Sequence, residues 1–265
     1  EMVLALDDAL QRDAALTALP GRFLFGIDDG TGDISALGAD VGVHAVDDTT
    51  VALLLAGTDT GVRLRGEDAV DALLAIARRF VEVRGKAWRV RELAPPDVLL
   101  APLSPTAPAG RTWPPHTRAP VGWIEQSDGA VALGAAVPLG VLDAEVARYL
   151  AAVDAPLVIT PWRSVLICDL DDGVADAVLR VLAPQGLVFD ENSPWLSLSA
   201  CTGSPGCAHS LADVRADAAA ALHDPAASRS VHRHFVGCDR ACGSPGCGDV
   251  LVATGDGYRA RQAHP

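Results

Sequence analysis

The chain is poor in aromatic residues, 5% of 265, and its 49% hydrophobic share comes mainly from alanine, valine and leucine. No apolar stretch reaches the ~18 residues of a helical membrane span, so that class of protein is excluded. Nothing near the start looks like a secretory signal, because Met2 to Leu19 is interrupted by Asp7, Asp8, Arg12 and Asp13. The expected compartment is the reducing cytoplasm, where clustered cysteines bind metal or do redox chemistry more often than they form disulfides. Basic residues are scarce: 21 Lys and Arg stand against 34 Asp and Glu, a net charge of −13, with no basic run. This argues against a nucleic-acid partner. An anionic substrate would need a local group of arginines set against the global field. A nucleotide-binding glycine fingerprint is also missing, since Gly203 and Gly206 sit between cysteines. No nucleotide cofactor is therefore expected to bind here through such a motif.

What is present is cysteine, concentrated in one region. Five of the six cysteines lie between positions 201 and 247. Four form Cys201-Thr-Gly-Ser-Pro-Gly-Cys207 and Cys238-Asp-Arg-Ala-Cys242, a C-x5-C pair and a C-x3-C pair with thirty residues between them. Structural zinc favours knuckles of two to four intervening residues, which Cys238–Cys242 satisfies and Cys201–Cys207 does not. A cubane iron–sulfur cluster takes four soft thiolates. Gly203, Pro205, Gly206, Gly237 and Gly243 would let the backbone wrap such a core closely, with free amides aimed at its sulfurs. Spacing alone leaves both metals open.

The remaining cysteines and the nearby histidines read differently. Cys168 follows the apolar run Val165-Leu-Ile167 and is expected to be a small buried hydrophobe. Cys247 ends a second Gly-Ser-Pro-Gly-Cys word, so it is either a free thiol beside the site or a replacement ligand. His209, His223, His232 and His234 lie near the cysteines. His232 and His234 alternate on one strand and could point the same way, with solvent-facing side chains as the default for all four.

A length of 265 residues suggests two domains. Leu4 to Leu19 is expected to form one amphipathic helix, followed by a strand over Arg22–Asp28. Val41–Val46 and Thr50–Leu55 should pair as a hairpin about Asp47-Asp48. Glu67–Val83 should be a helix burying Ala69, Leu73, Ala77 and Phe80, giving a mixed layer rather than a parallel nucleotide fold. Seven prolines between Ala94 and Pro115 break regular structure and suggest a linker or wrapping loop. Beyond it, a hairpin over Val121–Glu125 and Val131–Leu133 precedes a helix over Leu142–Val153. An extended Val158–Cys168 and a helix over Asp172–Leu182 follow. Cys207–Leu222 should be a helix whose N-terminal dipole favours an anionic cluster, and Val231–Val236 a strand leading to Cys238.

The words Leu198-Ser-Ala-Cys-Thr-Gly-Ser-Pro-Gly-Cys-Ala208 and Phe235-Val-Gly-Cys-Asp-Arg-Ala-Cys-Gly243 resemble the cluster motif of the sulfite and nitrite reductase superfamily. Together with Val252-Ala-Thr-Gly-Asp-Gly-Tyr258 they resemble its cobalamin branch, the precorrin-3B synthases. Siroheme reductases usually carry Pro-Asn after the third cysteine. Asp239-Arg240 stands there in this chain and favours the cobalamin branch.

The resemblance implies an α+β fold of sulfite/nitrite reductase-like mixed α/β domains. Residues 1–93 would be the remainder of a first reductase repeat and 94–118 a Pro-rich linker. Residues 119–184 would form a ferredoxin-reductase-like half-domain and 185–265 a [4Fe–4S]-binding domain. It assigns Cys201, Cys207, Cys238 and Cys242 as cluster ligands, the last of them next to the tetrapyrrole. A mononuclear non-heme iron is a further implied cofactor, and siroheme is the cofactor of the alternative reading.

Arg22, in Leu19-Pro-Gly-Arg-Phe23, matches one basic substrate-contacting position of the family, and a solvated strand-end arginine is its other reading. The second such position falls on Leu24. Arg163, in Thr160-Pro-Trp-Arg163, is the candidate for a substrate carboxylate because its planar fork can bind one bidentately. A surface ion pair is the other reading of Arg163. The implied activity converts precorrin-3A to precorrin-3B with O2 and NADH-derived electrons from an external donor, by hydroxylation and lactone formation. A siroheme-dependent nitrite or sulfite reductase, and an inactive zinc-stabilised or truncated relic, are the alternatives.

The resemblance also implies that the chain starts inside the first of two pseudo-symmetric repeats. The half-domain at 119–184 would then lack its counterpart, exposing a sheet edge and an apolar face that a partner or second copy would complete.

Overall fold

The computed structural model describes residues 1–114, 119–223, 231–245 and 248–262. The chain divides into two compact units, Glu1–His116 and Thr117–Pro265. The segment expected as a half-domain and the cysteine-bearing segment fall in the same second unit.

The first unit opens on α1, Met2–Arg12, which is shorter than expected. Asp13 adopts an extended backbone and its carboxylate accepts from the Ala15 amide, so a separate 3-10 turn, Ala14–Ala18, follows. A short polar side chain competing for backbone amides explains the break. The first strand, β1 (Phe25–Asp28), starts three residues later than expected and leaves Arg22 in the preceding turn.

β2 (Val41–Ala45) and β3 (Thr50–Leu55) form the expected hairpin, closed by Asp47, whose carboxylate accepts from the Thr49 and Thr50 amides. A fourth strand, β4 (Thr58–Arg65), escaped the sequence reading. It completes a mixed sheet of order β1-β2-β3-β4, with β1 parallel to β2 and the other neighbours antiparallel. Helix α2 (Ala69–Val83) buries Ala69, Leu73, Ala77 and Phe80 completely, together with Leu74 and Ile76. Each large apolar side chain removed from water there contributes about 2 kcal/mol. Residues of the proline-rich stretch run beside β4: the Thr106 and Ala107 amides donate to the Gly61 carbonyl, and Asp59 exchanges backbone bonds with Gly110 and Arg111.

In the second unit, β5 (Gly122–Glu125), β6 (Val131–Ala136), β7 (Leu157–Ile159) and β8 (Ser164–Leu170) form a sheet of order β5-β6-β8-β7, antiparallel throughout. The single extended segment expected over Val158–Cys168 is thus two strands turning at Thr160–Arg163. Arg163 supplies that turn with a left-handed backbone, φ 55°. Helices α3 (Ala144–Ala152) and α4 (Asp172–Leu182) supply Val146, Leu150, Ala175, Val178 and Leu182 to a core shared with Leu133, Val165 and Ile167. Cys168 is half-buried, one residue out of phase with Val165 and Ile167, so it faces away from that core. Edge strand β7 exposes Leu157, Val158 and Ile159.

The last sheet has order β12-β11-β10-β9. Strands β9 (Leu198–Ala200), β10 (Arg233–Val236) and β11 (Asp249–Thr254) are parallel, and β12 (Gly257–Gln262) is antiparallel to β11. Leu198, Phe235 and Ala253 pack here with Val214 and Ala218 of α5 (Val214–Ala220).

Candidate metal centre

Cys201 directly follows β9, and Gly237-Cys238 directly follow β10, so both cysteine words leave the carboxyl ends of neighbouring parallel strands. This is the end of an open parallel sheet where ligands are bound. The ladder continues one step past β9, with the Cys201 amide donating to the Phe235 carbonyl at 2.9 Å. The Gly237 amide then donates to Cys201 Sγ at 3.3 Å.

The C-x5-C loop folds back across the same glycine. The Leu211 amide donates to the Gly237 carbonyl at 2.9 Å, and a side chain at 237 would stand 1.8 Å from Ser210 Oγ. Only glycine admits this approach. Two further tight turns shape the loops: the Cys207 amide donates to the Gly203 carbonyl, and the Ala241 amide to the Cys238 carbonyl.

The helix expected from Cys207 does not begin there. α5 opens at Val214, capped by Asp213, whose carboxylate accepts from the Ala216 amide. Ser210 contributes to the delay by donating its hydroxyl to the Ala212 carbonyl, which holds the intervening segment in turns. The helix-dipole contribution expected at Cys207 is therefore withdrawn. A cationic group is nearby instead: Arg215 Nε lies 3.4 Å from the Cys201 carbonyl oxygen.

All five described cysteines are free thiols; Cys201, Cys207 and Cys238 are half-buried and Cys242 is exposed. Cys247 lies outside the described residues. A zinc ion with Zn–S of about 2.3 Å would draw its sulfurs to about 3.8 Å from one another. Among the described residues, no three of these sulfurs lie mutually within 4.8 Å. Four thiols on glycine-rich turns, with an amide aimed at one sulfur, suit a cubane cluster chemically.

Sequence reasoning missed Ser199, although it lies in the quoted word Leu198-Ser-Ala-Cys201. Ser199 is fully buried on β9 opposite His234 of β10. Its Oγ is 2.7 Å from His234 Nδ1 and 2.7 Å from His232 Nε2. His234 Nε2 donates to the Cys242 carbonyl at 2.9 Å. The two histidines do share a face, yet neither is solvent-facing as the default had it: His234 is 1% exposed and His232 half-buried. Both nitrogens of His234 are occupied, which removes it as an iron ligand. Burial lowers the pKa of both imidazoles; the Arg163 charge adds to this for both, and His234 adds to it for His232. His209 is exposed, and nothing is described of the His223 side chain.

Arg163 belongs to this neighbourhood, since its charge acts on both imidazoles. Its aliphatic stem lies against Gly140, where a side chain would stand 3.2 Å from Cδ. The residue as a whole is exposed, yet the surrounding chain desolvates its charged end and pushes its pKa down. Among the described residues it has no carboxylate partner, so the surface ion pair is not formed. Arg22 lies in the first unit, exposed and likewise without an ion pair among the described residues. Asp239 pairs with Arg259 of β12, and Arg261 donates to its carbonyl at 3.1 Å.

No described helix is long and apolar enough to cross a membrane. No protein-family model matches the chain, and no curated protein matches it. Among solved structures it is similar to the NirA protein of Mycobacterium tuberculosis, with a TM-score of 0.74 at 18% identity. The match covers 98% of this chain and 57% of that one, so the chain spans little more than half the length of this neighbour. The fold is the mixed α/β sulfite/nitrite reductase-like fold.

Proposed function

We propose that the chain is an iron–sulfur oxidoreductase of the precorrin-3B synthase type. In this reading Cys201, Cys207, Cys238 and Cys242 hold a [4Fe–4S] cluster that supplies single electrons. The observation that carries it is the convergence of both cysteine words on the carboxyl ends of β9 and β10, joined through Gly237. Exposed Cys242 marks the open side, where a tetrapyrrole would lie, and unpaired Arg163 would bind one of its carboxylates through a bidentate fork. Arg22, in the first unit, would be a further anion contact. The overall conversion takes precorrin-3A, O2 and two electrons from NADH by way of an external donor. One oxygen atom enters the substrate and the other leaves as water, with lactone formation. The exposed apolar edge at β7 supports a partner or second copy pairing there.

The second reading keeps the cluster and adds siroheme, for nitrite or sulfite reduction. The NirA-like fold favours it equally. Leu24 at the second basic position and Asp239-Arg240 after the third cysteine favour the precorrin branch. An inactive relic is the third outcome.

The test incubates reconstituted protein anaerobically with precorrin-3A, then adds O2, NADH and a ferredoxin-type reductase. Product heavier by one oxygen atom supports the proposal. A siroheme band with sulfite or nitrite consumption overturns it in favour of the second reading, and neither result favours a relic.

A further inference from the structure

The cluster reading above is the premise here. We propose that His234 is a positioning residue that, with Ser199 and His232, forms a buried hydrogen-bonded bracket fixing the Cys242 corner of the metal centre. Cys242 is exposed, and among the described residues its peptide makes no backbone-to-backbone hydrogen bond. What ties it to the sheet is the imidazole of His234, through the carbonyl at 2.9 Å. That ring is itself held from behind by Ser199 Oγ at 2.7 Å, on the neighbouring strand, and Ser199 is held in turn by His232. With Nε2–H donating to the carbonyl, the neutral ring accepts the Ser199 hydroxyl proton at Nδ1.

His234 stands on β10 between half-buried Arg233 and buried Phe235, and shares its face with fully buried Val236. An imidazole among them is costly to bury unless both nitrogens are satisfied. Here both are, and the second bond is spent on a cysteine loop rather than on the sheet. Gly243 leaves the space beside the ring open, since a side chain there would stand 3.7 Å from Cε1. The consequence is a metal centre with three half-buried corners set by strand ends and turns, and a fourth, exposed corner set by one buried side chain. A group that holds a ligand's backbone from the next layer tunes both metal retention and potential.

The test compares wild type, His234→Ala, His234→Gln and Ser199→Ala. Amide hydrogen exchange over residues 241–245 is read on metal-free protein. Iron content and the paramagnetic resonance of the reduced cluster are read after reconstitution. His234→Ala is expected to speed exchange there by about tenfold, which reports freed local opening, to lose iron and to alter the resonance. Glutamine, whose amide can still reach the carbonyl, should restore most of each. Ser199→Ala removes one link without the ring and should loosen the same segment less, which keeps the idea testable if His234→Ala does not fold. Unchanged exchange over 241–245 in both His234→Ala and Ser199→Ala overturns the bracket. Wild type that takes up no cluster overturns the cluster reading instead, and the metal-free exchange still decides the bracket.

Discussion

The Gly237 amide donates to Cys201 Sγ at 3.3 Å, and the same residue lies so close to Ser210 that no side chain fits between them. One glycine thereby joins the C-x5-C loop to the C-x3-C loop. Gly237→Ala places a Cβ 3.0 Å from the Ser210 backbone as well as against its side chain, so the loop itself must move. The expected cost is about 1–3 kcal/mol, drawn locally. Thermal unfolding should shift by a few degrees, while iron uptake falls several-fold.

Serine substitutions separate ligands from bystanders. Changing any one of Cys201, Cys207, Cys238 or Cys242 to serine should remove most of the cluster absorption. Cys168→Ser should leave it intact, since Cys168 sits on β8 in a different sheet. Iron content across the five variants checks this. A Cys168 variant as depleted as the others would contradict the ligand set.

Arg163 combines exposure with the lack of a carboxylate partner among the described residues, next to the histidine pair. Arg163→Gln should weaken binding of a polycarboxylate tetrapyrrole by about 10- to 100-fold, the worth of one charge-assisted contact. Arg163→Lys keeps the charge but loses the fork, and should recover only part of the affinity. Titration followed by tetrapyrrole absorbance gives the numbers. The folded state should be unaffected in both variants.

The stability of the first unit should depend on Asp28. This buried carboxylate accepts from the Gly30, Gly32 and Ser35 amides, and its Oδ1 lies 3.1 Å from His44 Nδ1. Burial alone would raise its pKa; the three amides outweigh that and lower it below the ordinary 3.8. Its contribution is therefore complete above that ordinary value and is lost as pH falls through the lowered folded-state value. Asp28→Asn should cost about 2 kcal/mol or more at neutral pH. Acid unfolding of the variant should also depend less steeply on pH below 4.

Much of this was legible in the chain. α2 could be read from the spacing of Ala69, Leu73, Ala77 and Phe80, because a one-sided apolar stripe has a single way to be buried. The β2–β3 hairpin followed from Asp47 between alternating runs. The cysteine words stood out because five of the six cysteines fall between positions 201 and 247. What failed did so for local reasons. Asp13 and Asp213 each claim nearby amides and set helix ends that apolar periodicity does not mark. Arg163 turns the chain with a backbone conformation that non-glycine residues rarely adopt, so nothing in its type announces the turn. β9 is three residues long and β12 carries Arg259 and Arg261, too short and too polar for a strand pattern to emerge. Ser199 is silent in sequence because its role depends on the register between β9 and β10, which pairing alone creates.

The central claim is that four cysteines at the ends of β9 and β10 hold one cubane cluster. Iron and acid-labile sulfide analysis of anaerobically purified or reconstituted wild-type protein, with zinc measured on the same sample, tests it most directly. The account predicts about four iron and four sulfide per chain with negligible zinc. Stoichiometric zinc without sulfide, or no metal at all after reconstitution, would contradict it.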